Sequence, residues 1–382
     1  MMGRMGVQSM ERVLLVTMGF GTGHNAAAQA VEEAVRQQGT MAKTVDLLEM
    51  VPGTFHPLLQ SGYNRMLTRF PSFYHVLYDG TSQSRLLRSV SHQLIEKMGW
   101  MIRKKLNQLL STFQPTRLIA THPFSLWLIP PEWRQLPSTG VVTDYDIHPL
   151  WLIRMPDLLC LPPGVMDREG RERLRRQTGS QVLETGIPCG TQFQKCTSRQ
   201  EARTRLGLDP EIPMLLVMGG GLGHGPLYDI VGALCEISFP LRIQVMTGKN
   251  EKMYQELTST PWKGDVHVEG YRKDIHLWLD AADLLVTKPG GMSITEAMLK
   301  RVPLLLFQAL PGQEFANQQY LVRQGGALAV QPDTVQRLVR YLFAYPDLRR
   351  WMADRLGQLA TPDAARRIAE ESLQAKPFPS AL

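Results

Sequence analysis

The sequence predicts an α/β protein built from two Rossmann-like domains that face a central cleft. Two observations carry that expectation. The chain has 382 residues, enough for two domains of ordinary size. It also holds two successive sets of strand–helix repeats, each opening on an apolar strand and a glycine loop. The first opening is Arg12–Met18 with Gly19-Phe20-Gly21-Thr22-Gly23-His24. The second is Met214–Met218 with Gly219-Gly220-Gly221-Leu222-Gly223-His224-Gly225. Residues 1–190 form the first expected domain, 191–360 the second, and 361–382 a closing segment with a helix over Ala364–Gln374.

In the first domain, the loop after Arg12–Met18 has the spacing GxGxG and no third glycine in the dinucleotide position, so it is a weak cofactor signal. A helix is expected over Asn25–Gln38, closed by Gly39. His24 then stands at the helix N-terminus, where the dipole lowers an imidazole pKa and leaves a neutral ring able to accept a proton. The plain alternative is a histidine that only caps the turn. Residues 51–106 carry eight Lys/Arg against two Asp/Glu, a balance of +6, interleaved with Phe55, Tyr63, Phe70, Phe73, Tyr74, Tyr78 and Trp100. That mixture suits helices lying in an anionic membrane interface, and a solvated helical insertion is the alternative. Short strands over Arg117–Thr121 and Gly140–Thr143 end in His122-Pro123 and in Asp144-Tyr145-Asp146-Ile147-His148. Open α/β sheets bind ligands at strand C-terminal ends, which makes Asp144, Asp146 and His148 second-rank catalytic candidates. Leu158–Leu161 continues the sheet, Asp167–Thr178 reads as a charged surface helix, and Gly190–Ser198 is the expected linker.

The second domain starts with a helix over Ser198–Leu206. After Met214–Met218 come five glycines in seven residues, a backbone bare enough to touch a pyrophosphate. Leu241–Met246 ends in Thr247-Gly248-Lys249-Asn250, and Val266–Val268 leads into Gly270-Tyr271-Arg272. A helix over Asp274–Ala281 and a strand over Asp283–Thr287 precede the turn Lys288-Pro289-Gly290-Gly291. Ser293 is read as the N-cap of the next helix, with Glu296 placed as in a capping box. A strand over Val302–Phe307 is followed by a loop containing Pro311-Gly312-Gln313-Glu314, Asn317 and Gln318. Phosphate-compatible backbone, a lysine, a carboxylate and an amide cluster together suit a sugar nucleotide, against the alternative of an ordinary strand–helix turn. Gly325–Val330 gives the last strand, and helices follow over Asp333–Phe343 and Asp347–Leu359.

Composition narrows the function classes. The chain is 43% apolar and 20% charged, as soluble globular proteins are. It has no run of roughly 18 or more apolar residues, so no spanning helix is expected. The N-terminus lacks the apolar core and cleavage site of a signal peptide, which predicts a cytoplasmic protein. Cys160, Cys189, Cys196 and Cys235 are scattered without a CxxC, so neither a zinc site nor a disulfide framework is expected. Net charge is +7. Residues 1–190 have 20 basic and 15 acidic groups, giving +5, and residues 191–382 have 22 and 20, giving +2. A basic balance suits nucleic acid, an anionic membrane or an anionic substrate. Nucleic acid loses support because zinc-finger spacing, bZIP heptads and RNP motifs are all missing.

The segments Lys288-Pro289-Gly290-Gly291-x-Ser293-x-Thr295-Glu296-Ala297 and Pro311-Gly312-Gln313-Glu314-x-x-Asn317 resemble the donor-binding signature of bacterial diacylglycerol glucosyltransferases and plastid monogalactosyldiacylglycerol synthases, in glycosyltransferase family 28. Further similarities are Gly23-His24 before an Ala-rich helix, Thr143-Asp144-x-x-x-His148-x-x-Trp151, Gly186-Ile187-Pro188 and the Thr247–Asn250 segment. The resemblance covers nearly the whole chain. It implies the GT-B fold, with the last helix crossing back to the first domain. It also implies an inverting transfer of glucose or galactose from a UDP-sugar to the hydroxyl of diacylglycerol, with a polyprenyl-linked acceptor or a non-catalytic UDP-sugar sensor as alternatives.

In that scheme His24 is the base, with Asp144 orienting it or the acceptor. The amides of Gly219, Gly220, Gly221, Gly223, Gly290 and Gly291, with Lys288, Ser293 and Thr247, surround the leaving UDP. Tyr271 and Arg272 lie at the turn that holds uracil, and Glu296 accepts the ribose hydroxyls. Gln313, Glu314, Asn317 and Gln318 address the sugar. The donor half has no Asp-x-Asp, so no metal is expected, and no cofactor beyond the donor substrate. The implied location is peripheral, on the inner face of the cell membrane.

Overall fold

The structure is a computed structural model that describes residues 11–19, 21–55, 99–148, 150–307 and 312–377. Most of the basic and aromatic segment expected over 51–106, including Arg65, Arg69, Arg85 and Arg88, lies outside the described residues. So do Phe20, Pro149 and Pro311.

Two parallel six-stranded sheets form the expected two α/β domains. The first contains β1 (Arg12–Thr17), β2 (Met41–Asp46), β3 (Arg117–Ala120), β4 (Ser138–Val141), β5 (Leu158–Leu161) and β6 (Gln181–Glu184), in the order β2-β1-β3-β4-β5-β6. The second contains β7 (Met214–Met218), β8 (Arg242–Met246), β9 (Asp265–Glu269), β10 (Leu284–Thr287), β11 (Leu304–Phe307) and β12 (Ala327–Val330), in the order β12-β11-β10-β7-β8-β9. Strands such as β5, β7 and β11 are buried at every residue because helices cover both faces of a parallel sheet. β2 and β6 are absent from the sequence-based expectation. Both are edge strands with a single fully buried apolar residue, Ala42 and Val182, so neither shows a continuous apolar run.

The strand orders place the site. Each chain half begins on a central strand, runs outward on one side, then returns to fill the other side. In the first sheet the direction reverses between β1 and β3, and in the second between β7 and β10. The loops leaving strands at such a reversal open a crevice. His24 follows β1 and His122 follows β3. The glycine run follows β7 and Lys288 follows β10.

Three local expectations are corrected. The first helix spans Thr22–Gln37 with Gly21 as N-cap, so His24 lies inside its first turn. The helix after Lys288 spans Gly291–Leu299 with Gly290 as N-cap, so Ser293 is a first-turn residue and not the cap. Its start is fixed three residues earlier by the Ile294 N–H donating to the Gly290 carbonyl at 3.1 Å. Third, Gln313, Glu314, Asn317 and Gln318 belong to a helix, Gln313–Arg323, and not to a loop. Gly312 enters that helix at φ +97°, a conformation that favours glycine.

The helix over Ala364–Gln374 packs on the Thr22–Gln37 helix, with Ala365, Ile368 and Ala369 buried among Val13, Leu15 and Val31. Arg117 of β3 donates to the carbonyls of Ser372 and Ala375 at its end. The last described helix therefore packs on the first domain.

Candidate active site

On the first-domain side, His24 Nδ1 lies 2.8 Å from the Thr121 carbonyl oxygen. A carbonyl can only accept, so that nitrogen carries the proton and Nε2 keeps its lone pair. Burial is the largest influence on the ring and lowers its pKa below 6.5, while the Asp144 charge pushes it back up. His122 stands edge-on to it, with ring centroids 4.8 Å apart. Burial holds His122 well below its ordinary value and brings His148 to about 4. Charge on His24 would lower both neighbours further, and a pKa below 6.5 leaves the His24 ring mainly neutral at pH 7. The loop and helix turn around it are held by a polar network that the sequence reading missed. Asp46 accepts from the Gly19 and Leu48 N–H groups and from Asn25 Nδ2, and Thr17 donates to Asn25 Oδ1. Asp46 gave no signal in the sequence, because the strand whose C-terminal end it occupies has no continuous apolar run. Asp146 Oδ1 accepts from the N–H of Ile147, as in a local turn.

On the second-domain side, a cleft of about 720 Å³ runs between the Thr22–Gln37 helix and the strand ends of the second sheet. Gly220, Gly221, Tyr271, Arg272, Ser293 and Glu296 line it. Arg272 is committed to Asp274 through two hydrogen bonds of 2.9 and 2.7 Å, which keeps its turn rigid. Lys249 lies over the exposed Tyr271 ring at 5.7 Å. Glu296 has no partner among the described residues, and burial raises its pKa to about 8. An unpaired carboxyl in a cleft wall is a ready acceptor for ligand hydroxyl groups.

The other expected donor residues lie around this cleft. Gly219 and Gly223 shape the turn after β7: a side chain at Gly223 would stand 1.9 Å from the Thr247 carbonyl oxygen. Thr247 is fully buried, with its hydroxyl 3.2 Å from the Glu269 carbonyl. Lys288 lies alongside Gly220 and Gly290 and pairs with Glu314 at 2.5 Å. His224, which sequence reasoning passed over, is within electrostatic reach of both Lys288 and Glu314. Gln318 donates to the Leu306 carbonyl at 3.1 Å and is buried. Gln313 opens its helix beside Glu314.

The two sides meet at tight backbone contacts. A Cβ on Gly221 would lie 2.4 Å from Thr22 Oγ1, and one on Gly291 would lie 1.9 Å from the Thr143 carbonyl oxygen. Tyr145 belongs to the first domain yet is 7% exposed within the core of the second. Its ring stacks on Tyr320 at 4.5 Å, and its hydroxyl is 3.0 Å from Thr295 Oγ1. Gly291→Ala is expected to push the Thr143–Tyr145 segment away, since a carbonyl cannot yield as a flexible side chain can. A loss of about 1–3 kcal/mol in unfolding free energy is the scale of such overpacking. Gly53→Ala, with nothing within 4 Å of the added carbon, is the neutral control. Denaturant unfolding that leaves Gly291→Ala at wild-type stability refutes the contact.

Comparison with known proteins agrees with this arrangement. A family model for Monogalactosyldiacylglycerol (MGDG) synthase matches residues 24–189, and one for the Glycosyltransferase family 28 C-terminal domain matches residues 214–345. The chain is similar to monogalactosyldiacylglycerol synthase 1, chloroplastic, of Arabidopsis thaliana, with 27% identity over 384 residues, covering 94% of this chain and 70% of the relative. It is 28% identical over 341 residues to the processive diacylglycerol beta-glucosyltransferase of Bacillus cereus, covering 85% and 83%. Among solved structures, MurG of Acinetobacter baumannii superposes with a TM-score of 0.63 at 16% identity, covering 95% of this chain and 99% of that one.

Proposed function

The chain belongs to glycosyltransferase family 28, its first half being of the monogalactosyldiacylglycerol synthase type, and from that premise we propose that it transfers a hexose from a UDP-sugar to the hydroxyl of diacylglycerol with inversion. The observation that carries the mechanism is the pairing of a neutral His24, whose Nε2 has no hydrogen-bond partner among the described residues, with a nucleotide-sized cleft between the two domains. His24 removes the acceptor proton as that oxygen attacks the anomeric carbon. The bond to UDP breaks on the opposite face, so one displacement inverts the centre. Negative charge develops on the diphosphate and meets the amides of the glycine run and the Lys288 ammonium. The ribose hydroxyls donate to Glu296. Gln313 and Glu314 address the hexose from the start of their helix. No cofactor beyond the donor enters this scheme.

A membrane lipid as acceptor places the protein at a bilayer surface. Among the described residues no helix is long and apolar enough to cross one. Trp100 is 81% exposed and Phe55 44%, at the two described ends of the basic segment. Those residues and the segment's +6 charge support peripheral attachment to an anionic, cytoplasmic face. Liposome flotation checks it: binding is expected only with anionic lipid and is expected to weaken with salt. Equal flotation on neutral and anionic vesicles rejects it.

Two assays test the function. Mass spectrometry of lipid products after incubation with UDP-glucose or UDP-galactose and diacylglycerol is expected to show a hexosyl product with the β configuration. No product with either donor rejects the reading. The second assay uses Glu296. Burial keeps its carboxyl largely protonated at pH 7 in the empty cleft, while hydrogen bonds from two hydroxyls favour the carboxylate. UDP binding is therefore expected to release a proton at pH 7. Calorimetry in buffers of different ionisation enthalpy reads that release, which Glu296→Gln abolishes. Identical proton release by the variant removes Glu296 from the site.

A further inference from the structure

Asp144 and Asn317 come from different domains and meet where the two domains touch. The Asn317 amide has two N–H donors and one acceptor oxygen. Its Oδ1 accepts from the Tyr145 N–H at 2.6 Å, and its Nδ2 donates to Asp144 Oδ1 at 2.8 Å and to the Pro289 carbonyl at 2.9 Å. The side chain is fully buried. Both donors are used inside the protein, so none remains for a sugar hydroxyl. We propose that Asn317 is a positioning residue that the donor domain lends to the base, holding the Asp144 carboxylate within electrostatic reach of His24 only while the two domains are closed. This rests on the reading of His24 as the base.

The whole Thr143–Tyr145 segment takes its place from the other domain. Tyr145 is stacked on Tyr320 and meets Thr295, and the missing side chain of Gly291 leaves room for the Thr143 carbonyl. On the same segment, Thr143 Oγ1 lies 3.1 Å from His24 Nδ1. Separation of the domains would strip Asp144 of the Asn317 donor. The Thr143–Tyr145 segment loses its seat at the same time, so nothing then holds the carboxylate toward His24 to stabilise the imidazolium that forms when His24 takes the acceptor proton. Chemistry thereby waits for closure.

The charged and titratable groups facing this pair are identifiable. Asp144 faces His24, Glu314 and Lys288, and Glu314 opposes its ionisation while the other two favour it. His24 faces Asp144 and Asp46, with His122 and His148 beside it. The Asn317 hydrogen bond also favours ionised Asp144. Its removal moves the proton shared by the pair from His24 toward Asp144 and raises the pH at which the pair loses it.

The experiment compares wild type with Asn317→Ala and Asn317→Ser in two measurements. The first is hexosyl transfer from UDP-glucose and UDP-galactose to diacylglycerol across pH. The second is the histidine ring NMR titration of His24 in the ligand-free protein. Expected are a fall in kcat of about tenfold or more, the scale of losing one hydrogen bond to a charged group, an unchanged donor KM, an acid limb moved to higher pH and a smaller imidazolium fraction at His24. A raised donor KM with an unmoved acid limb and an unmoved His24 titration overturns the proposal and returns Asn317 to the sugar. If wild type transfers no hexose, the functional reading fails while the His24 titration still decides the role of Asn317. If thermal melts show that both variants fail to fold, Gly291→Ala keeps Asn317 but separates the segments. It is expected to displace the acid limb and the titration in the same directions, and an undisplaced pair of curves overturns the proposal.

Discussion

Replacing His24 with alanine is expected to leave UDP affinity unchanged and to cut kcat by about a hundredfold or more, the usual scale of general base catalysis. The ring belongs to the first domain, while the nucleotide cleft is walled chiefly by loops of the second. Its loss therefore removes proton transfer without removing donor contacts. The Thr121 carbonyl fixes Nδ1 as the protonated nitrogen, so the same Nε2 is always presented. Burial lowers the ring pKa, which places the acid limb of the wild-type pH–rate profile below 6.5. His24→Ala should lose that limb as well as the rate. Steady-state kinetics with calorimetric UDP binding checks both parts. A variant that turns over normally with intact UDP affinity assigns the proton to another group.

Lys288→Met is expected to lower kcat by about a hundredfold to a thousandfold, the scale of removing one preorganised stabiliser of developing charge. Methionine keeps most of the volume of the lysine stem, so the loss reports charge more than packing. The Lys288 ammonium lies between the two glycine turns and pairs with Glu314 at 2.5 Å in a half-buried setting. A diphosphate reaching that position competes with Glu314 for the same ammonium. Glu314→Gln should therefore raise UDP affinity, because Lys288 loses its internal partner, and should weaken discrimination between UDP-hexose and UDP. Calorimetry with both ligands reads the two variants. Unchanged kcat in Lys288→Met, or weaker UDP binding in Glu314→Gln, rejects this account.

The residues differ in how legible they were. The central strands were plain because a parallel sheet buried on both faces must be continuously apolar, and Leu284–Thr287 and Leu304–Phe307 are. The edge strands Met41–Asp46 and Gln181–Glu184 were not, because half-solvated edges lose that pattern. Helix starts were displaced by three residues at Thr22 and at Gly291. Ser293 looked like a cap from its type, yet Gly290 is the residue at the helix boundary. Cap chemistry can be read from residue type, but the boundary depends on what the preceding turn packs against. At Gly291 that is the Thr143 carbonyl of the other domain.

By itself, the sequence determined the two α/β domains, the glycine loop after the first strand of each and the family signature over residues 288–317. These depend on residue type and short-range spacing, which survive in one dimension. Only the tertiary structure decided the tautomer of His24, the isolation of Glu296, the pairing of Lys288 with Glu314 and the junction of Asp144 with Asn317. Each is a contact between segments far apart in the chain, and Asp144 and Asn317 are separated by 173 positions. A side chain's protonation and remaining hydrogen-bond capacity are set by the atoms around it, and those atoms are gathered only when the chain folds.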